Sequence, residues 1–265
     1  MFNTLRTGLL FSLLIIITTA SSDNCVPHNG RRQSPIKIWT KAATSVFAPP
    51  LNWSYGYALK PQKMFLNNTG LSLTLTVNHK EPLQISSGML NVPYKFEQLH
   101  FHWGEHDGVG SEHIIDGFTY PMEMHIVHSQ NLREDIDKFV VIAYFFMITP
   151  TANPSLQGLL DAAIALKHEQ QHKVTPFALA QILPDRCSYF TYNGSLTTPP
   201  YTESVTWILA TSEVPISRTQ LGVLREVAKK HKGLRNNYRC IQNTNERSVY
   251  FLSGKPAYSH NSLYK

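Results

Sequence analysis

The chain has 265 residues, 42% hydrophobic, 11% aromatic and 16% charged, with 14 glycines and 16 prolines, a balance that excludes disorder, collagen and coiled coil. The formal charge of +6 is spread thinly, and its densest cluster is only Lys229, Lys230, Lys232 and Arg235, which gives no basic patch of the kind nucleic acid requires. A chain this long buries a substantial core without cross-links.

At the amino end, Arg6 precedes an apolar run from Leu9 to Ile17 that only Ser12 interrupts, and small residues follow through Ser22. That is the pattern of a secretory signal peptide, so residues 1–22 are expected to be removed and residues 23–265 to form one domain. A bilayer span needs about 20 apolar residues, roughly twice this run, and no later segment reaches that length. The mature protein is therefore expected to be soluble and extracellular, with no membrane anchor. Export favours cysteine oxidation, and Cys25, Cys187 and Cys240 leave one thiol over whichever two pair; any pairing is open, and the odd thiol offers a route to an oligomer. The sequons at Asn52, Asn67 and Asn193 permit glycosylation in the same compartment.

Strand signals dominate the remainder, in chain order. Leu71 to Val77 alternates with period two, Leu99 to Trp103 and Met122 to His128 mix apolar with polar, and Phe139 to Ile148 reads as a buried strand. A helix is expected where Leu156, Leu159, Leu160, Ala163 and Ile164 share a face. Val205 to Ala210 adds a strand. A second helix follows on Leu221, Leu224, Val227 and Ala228, opened by the capping-box pattern Ser217-x-x-Gln220. Ser248 to Leu252 closes the series. The composite is mostly β, of α+β type, in a single domain with no repeat and no linker.

The histidines carry the chemistry. In Leu99-His100-Phe101-His102-Trp103, residues two apart on a strand project from one face, so His100 and His102 can converge while Leu99, Phe101 and Trp103 enter the layer behind. Alone, such a pair is as compatible with a structural or surface role as with a metal clamp. The segment Met122 to His128 supplies a third imidazole, His125, with Glu123 on the same face and His128 on the other. Three neutral imidazoles suit Zn²⁺ and leave its fourth position open, as in catalytic sites. A carboxylate at Glu123 can hold the remote ring N–H of a liganding histidine.

The blocks Gln33-Ser-Pro-Ile, Gln98-Leu-His-Phe-His-Trp-Gly, Gly110-Ser-Glu-His, Glu123-Met-His-Ile-Val-His, Gly194-Ser-Leu-Thr-Thr-Pro-Pro, Val205-Thr-Trp, Asn237-Tyr-Arg and Val249-Tyr occur in an order that resembles the α-class carbonic anhydrases over nearly the whole mature chain. The resemblance implies a central, largely antiparallel twisted sheet with peripheral helices, zinc on His100, His102 and His125, and hydration of CO₂ to bicarbonate by a zinc hydroxide. It implies that Thr197 and Glu112 orient that hydroxide, and that Thr197 and Thr198 hold substrate. It assigns an apolar CO₂ wall to Val127, Val141, Leu196 and Trp207, and outer hydrogen bonds to Gln98, Glu123 and the carbonyl of Asn237.

The chain also departs from the family pattern. The family's shuttle histidine is replaced in Asn68-Thr69-Gly70-Leu71, and Leu71 carries no proton, so proton export is expected to slow turnover. His79 and His106 are the candidate substitutes, although surface positions are the simpler reading of each. Few residues lie between the expected signal and Gln33. Tyr201 stands where secreted relatives often have a cysteine, which suggests that Cys25 pairs with Cys187 and leaves Cys240. A non-enzymatic extracellular binding or matrix protein is the second reading, and an unrelated secreted zinc hydrolase the third. Retention of all three histidines with Glu112 and Thr197 favours the enzyme.

Overall fold

Long apolar and alternating runs extend most of the chain into strands. The computed structural model describes residues 29–166, 170–184, 188–230 and 235–253; the expected signal peptide, Cys25 and Cys187 lie outside the described residues. In chain order the strands are β1 (Lys37–Ile38), β2 (Thr44–Val46), β3 (Leu51–Trp53), β4 (Lys63–Asn68), β5 (Leu73–Asn78), β6 (Gln84–Ser87), β7 (Tyr94–Trp103), β8 (Ile114–Ile115) and β9 (Met122–Ser129). They continue with β10 (Phe139–Thr149), β11 (Gln171–Lys173), β12 (Tyr189–Gly194), β13 (Val205–Ala210), β14 (Val214–Ser217) and β15 (Tyr250–Leu252).

One sheet runs in the order β11-β4-β5-β7-β9-β10-β13-β12-β15-β2, with β3, β6 and β14 attached at its margins; β1 and β8 pair apart from it. The sheet is mixed but mainly antiparallel. Parallel pairing is confined to β10 with β13 and β14, and β15 with β2. The strand bearing His100 and His102 is therefore interior, flanked by β5 and β9.

The central strands are covered on both faces. Every residue of β9 is buried, which is why Phe139 to Ile148 on its neighbour reads as a continuous apolar run instead of an alternating one. On one face, Leu99, Phe101, Trp103, Met124, Ile126, Ile142 and Tyr144 enter the main core. On the other, Val127, Val141, Ala143, Trp207 and Leu209 build a second apolar cluster beside the histidines. Complete burial of an aliphatic or aromatic side chain of this size contributes about 1.5–3 kcal/mol, so the double-sided core anchors the strands that carry the site.

Two helices lie against the main core, α1 (Gln157–Ala165) and α2 (Arg218–Lys230). Leu159, Leu160, Ala163, Leu221, Leu224 and Val227 are buried there as expected. Ile164 is not: it is 42% exposed. Ala162 and Leu166 are buried in its place, because at 100° per residue the face set by Leu156, Leu159, Ala162, Ala163 and Leu166 turns Ile164 outward. The start of α2 forms a reciprocal cap. Gln220 N–H donates to Ser217 Oγ at 3.2 Å, and Ser217 N–H donates to Gln220 Oε1 at 3.1 Å.

Cys240 stands in a disulfide. It is therefore not the odd thiol, contrary to the pairing of Cys25 with Cys187 that the resemblance suggested. No helix among the described residues is long and apolar enough to cross a membrane.

Candidate metal centre

The antiparallel register of β7 and β9 sets His100 opposite His125 and His102 opposite Glu123. Side chains at i and i+2, and those of directly paired residues, share a sheet face, so all four project to one side. The imidazole centroids lie 5.0 Å (His100–His102), 5.2 Å (His100–His125) and 4.5 Å (His102–His125) apart. One nitrogen from each ring lies within 4.8 Å of the others. The three imidazoles expected to hold metal do converge.

Each ring is oriented from behind by a different acceptor. His100 Nδ1–H donates to Gln98 Oε1 at 3.0 Å, His102 Nδ1–H to the Asn237 carbonyl at 2.8 Å, and His125 Nε2–H to Glu123 Oε1 at 2.7 Å. The bonded nitrogen carries the proton, so the free lone pairs are Nε2 of His100 and His102 and Nδ1 of His125. His102 Nε2 is buried and has no hydrogen-bond partner among the described residues. Burial, then the neighbouring His102 and His125, hold His100 well below the usual imidazole range; burial first, then His102, lowers His125. Neutral rings with lone pairs aimed at one point are the form a cation binds, and three nitrogen donors with one position left open fit Zn²⁺.

Glu123 is the most heavily bonded group in the site. Its Oε1 accepts from His125 and from His113 Nδ1 at 2.7 Å, while Oε2 accepts the backbone N–H of Glu112 at 2.8 Å and of His113 at 2.9 Å. Burial alone raises its carboxyl pKa, but the charge and hydrogen bond of His113, followed by those of His125, outweigh burial and hold it well below the usual carboxylate range. His113 passes the chain onward. Its Nε2 meets Tyr192 Oη at 2.7 Å, and Tyr192 Oη meets Ser34 Oγ at 2.8 Å. Burial pushes the Tyr192 hydroxyl far above its ordinary value, so it stays protonated and donates to His113.

Sequence reasoning assigned no role to His113, Tyr192 or Ser34. His113 and Ser34 sit inside the matched blocks, but strand periodicity gives no reason to pair residues so distant in the chain. Tyr192 falls on β12, a strand the sequence reading did not mark although Tyr189-Phe190-Thr191-Tyr192 are all strand-favouring residues. Gly194, the last residue of that strand, has no room for a side chain, because a Cβ there would stand 2.1 Å from Ser34 Oγ and 2.8 Å from the Trp207 ring.

Beside the histidines opens a cavity of about 470 Å³, lined by Gln98, His100, His125, Val127, Val141, Leu196, Thr197, Thr198 and Trp207. Strand register explains its apolar wall: Val141 pairs with Val127 on β9 and with Trp207 on β13, which sets the three in a row across the sheet. Glu112 lies behind the cavity. Its Oε1 accepts the backbone N–H of Arg239 at 2.8 Å, while its buried Oε2 has no hydrogen-bond partner among the described residues, although His125 Nδ1 stands 3.9 Å from it. The expected bond from Thr197 to Glu112 is not formed in this structure, although Oε2 is the acceptor left for it. The cavity also takes in Glu97, Ser129, Asn131, Lys138 and Phe139, none of which the sequence reading singled out.

Leu71 is half-buried and meets Asn237 only through its carbonyl, which accepts from Asn237 Nδ2 at 3.0 Å. His79 Nε2 lies 3.4 Å from the Leu59 carbonyl, and His106 Nδ1 accepts the Gly108 N–H at 3.2 Å. Neither lines the cavity.

Comparison with known proteins agrees with this geometry. The family model described as eukaryotic-type carbonic anhydrase matches residues 20–253. Human mitochondrial carbonic anhydrase 5A is 35% identical over 83% of this chain and 76% of its own length. Rabbit (Oryctolagus cuniculus) carbonic anhydrase 1 is 34% identical over 77% and 89%, and human carbonic anhydrase 7 is 35% identical over 75% and 78%. With its mainly antiparallel sheet, its convergent histidines and this match over most of its length, the chain belongs to the eukaryotic-type carbonic anhydrase family.

Proposed function

We propose that the protein is a secreted zinc enzyme that hydrates CO₂ reversibly to bicarbonate and a proton. The observation that carries the reading is the convergence of His100, His102 and His125, each with its remote N–H held by a separate acceptor. Zinc bound there supplies a nucleophile near neutral pH by lowering the pKa of its water to about 7, the value known for carbonic anhydrase as a class. The chain's own residues do the rest. Gln98, Asn237 and Glu123 fix ring orientation and tautomer, and acceptors of this kind are worth 10- to 100-fold in metal affinity. Glu112 Oε2 is the acceptor left open for the Thr197 hydroxyl; once Thr197 turns to donate there, its oxygen would accept from the reacting water. Val127, Val141, Leu196 and Trp207 give linear, apolar CO₂ a dry surface, and Thr198 holds the product by hydrogen bonding.

Leu71 replaces the shuttle histidine, and among the described residues no imidazole besides His100 and His125 lines this cavity, so turnover depends on a base from solution. The apolar run Leu9 to Ile17 and the three sequons support export to the extracellular space. The test is stopped-flow CO₂ hydration on zinc-quantified protein, with the wild type and His102→Ala side by side and imidazole increasing. A zinc-dependent rate that imidazole raises, lost in His102→Ala, is expected. No rate above buffer with one zinc bound per chain would overturn the enzyme reading in favour of a non-enzymatic binding protein.

A further inference from the structure

The register of β7 with β9 breaks at one residue. Lys95 pairs with Ser129 and Phe96 with His128, but Gln98, not Glu97, pairs with Val127. Glu97 is thus the extra residue of a β-bulge. On an unbroken strand Glu97 and Gln98 would project to opposite faces, with Glu97 on the core side of Leu99 and Phe101. A bulge re-aims side chains, and here both Glu97 and Gln98 line the cavity. Ser129, nearly buried at the end of β9, donates its hydroxyl to Glu97 Oε1. Glu97 Oε2 has no hydrogen-bond partner among the described residues. An exposed carboxylate, held at one oxygen by Ser129, therefore stands on the wall of the cavity with its other oxygen open.

We propose that Glu97 is a binding site for a small nitrogen base of the imidazole class, which carries away the proton that CO₂ hydration releases. This rests on the proposed function and names a partner for the same cavity. The neutral base donates one ring N–H to Glu97 Oε2 and keeps its second nitrogen free to accept the proton. The carboxylate then stabilises the imidazolium until it leaves with that proton, so no atom is left unaccounted for. Lys138 is the opposing charge in the cavity. It is exposed, lies 5.6 Å over the Phe139 ring and forms no ion pair with Glu97 among the described residues, and its charge weakens binding of a cation.

The experiment measures the imidazole dependence of hydration by the zinc enzyme for wild type, Glu97→Gln, Ser129→Ala and Lys138→Gln. Binding of imidazole to the same proteins is followed by saturation-transfer NMR. Glu97→Gln should raise the imidazole concentration for half-maximal rate about fivefold, the scale of one solvent-exposed charge pair. Ser129→Ala should raise it less, and Lys138→Gln should lower it. Inorganic phosphate, an anionic carrier, should respond in the opposite sense to each charge change. Equal imidazole dependence in wild type and Glu97→Gln, with hydration intact, would overturn the inference and leave the proposed function standing. If wild type shows no hydration, the NMR comparison still decides: weaker saturation transfer in Glu97→Gln supports the site, and equal transfer rejects it.

Discussion

At the scale of single residues, Glu123 shows how one carboxylate organises a metal site it does not enter. Its four hydrogen bonds hold the rings of His125 and His113 and the backbone amides of Glu112 and His113. Glu123→Gln keeps the shape but replaces one acceptor oxygen by an NH₂ group. Whichever way the amide is turned, that NH₂ faces N–H donors: the imidazoles of His113 and His125, or the backbone amides of Glu112 and His113. Zinc affinity should fall 10- to 100-fold, measured by competition with a chromogenic chelator; unchanged affinity would show that the bond to His125 contributes nothing to binding. Strand periodicity sets His100 with His102, and His125 with Glu123, on common faces, but that the two pairs meet as one ligand set was implied only by the family resemblance. The chain of His113, Tyr192 and Ser34 was not legible, because it joins residues up to 158 positions apart through contacts that only the folded sheet creates. Glu97 was equally hidden, since a bulge reverses the face that alternation assigns.

At the scale of elements, agreement followed the strength of the local signal. The strand at Val205 to Ala210 and the central runs formed as the pattern predicts, because each fills a position buried on both faces. The ends were less legible: Ser248 to Leu252 pairs only from Tyr250, and the short β1, β2, β3 and β8 carry too few residues for periodicity to register. Helix α1 kept its place but turned its face by enough to expose Ile164. Helix α2 was the clearest, because Ser217 and Gln220 exchange hydrogen bonds at its first turn. Ser217→Ala removes the acceptor for the Gln220 N–H and should cost about 0.5–2 kcal/mol, read as a lower midpoint in urea with an unchanged slope. Zinc content should not change, because α2 lies on the face of the sheet away from the histidines. A loss of zinc in parallel with stability would show that the two faces are coupled.

At the scale of the whole molecule, the same burial that makes histidines good ligands makes the fold sensitive to acid. His128 faces the main core, opposite the metal side of β9, with Tyr57 Oη 2.6 Å from its Nε2, and burial pushes its pKa down from 6.5 to about 3. The unfolded chain binds this proton near pH 6.5 and the folded chain only near pH 3. The contribution of His128 is therefore fully present above pH 6.5 and is lost as pH falls from there towards 3, by about 1.4 kcal/mol per pH unit. Between pH 7 and pH 5 that amounts to about 2 kcal/mol. His100 and His125 act in the same direction in metal-free protein, and zinc adds to the effect because protonation of its ligands competes with binding. Glutamine at position 128 offers Tyr57 an acceptor without a titrating group. In urea unfolding of chelator-treated protein, His128→Gln should lose about 2 kcal/mol less than wild type over that interval, whatever its stability at pH 7. An identical loss in both proteins would mean that His128 is reached by protons without unfolding, and that the core around Tyr57, Trp53 and Phe96 opens more readily than its packing implies.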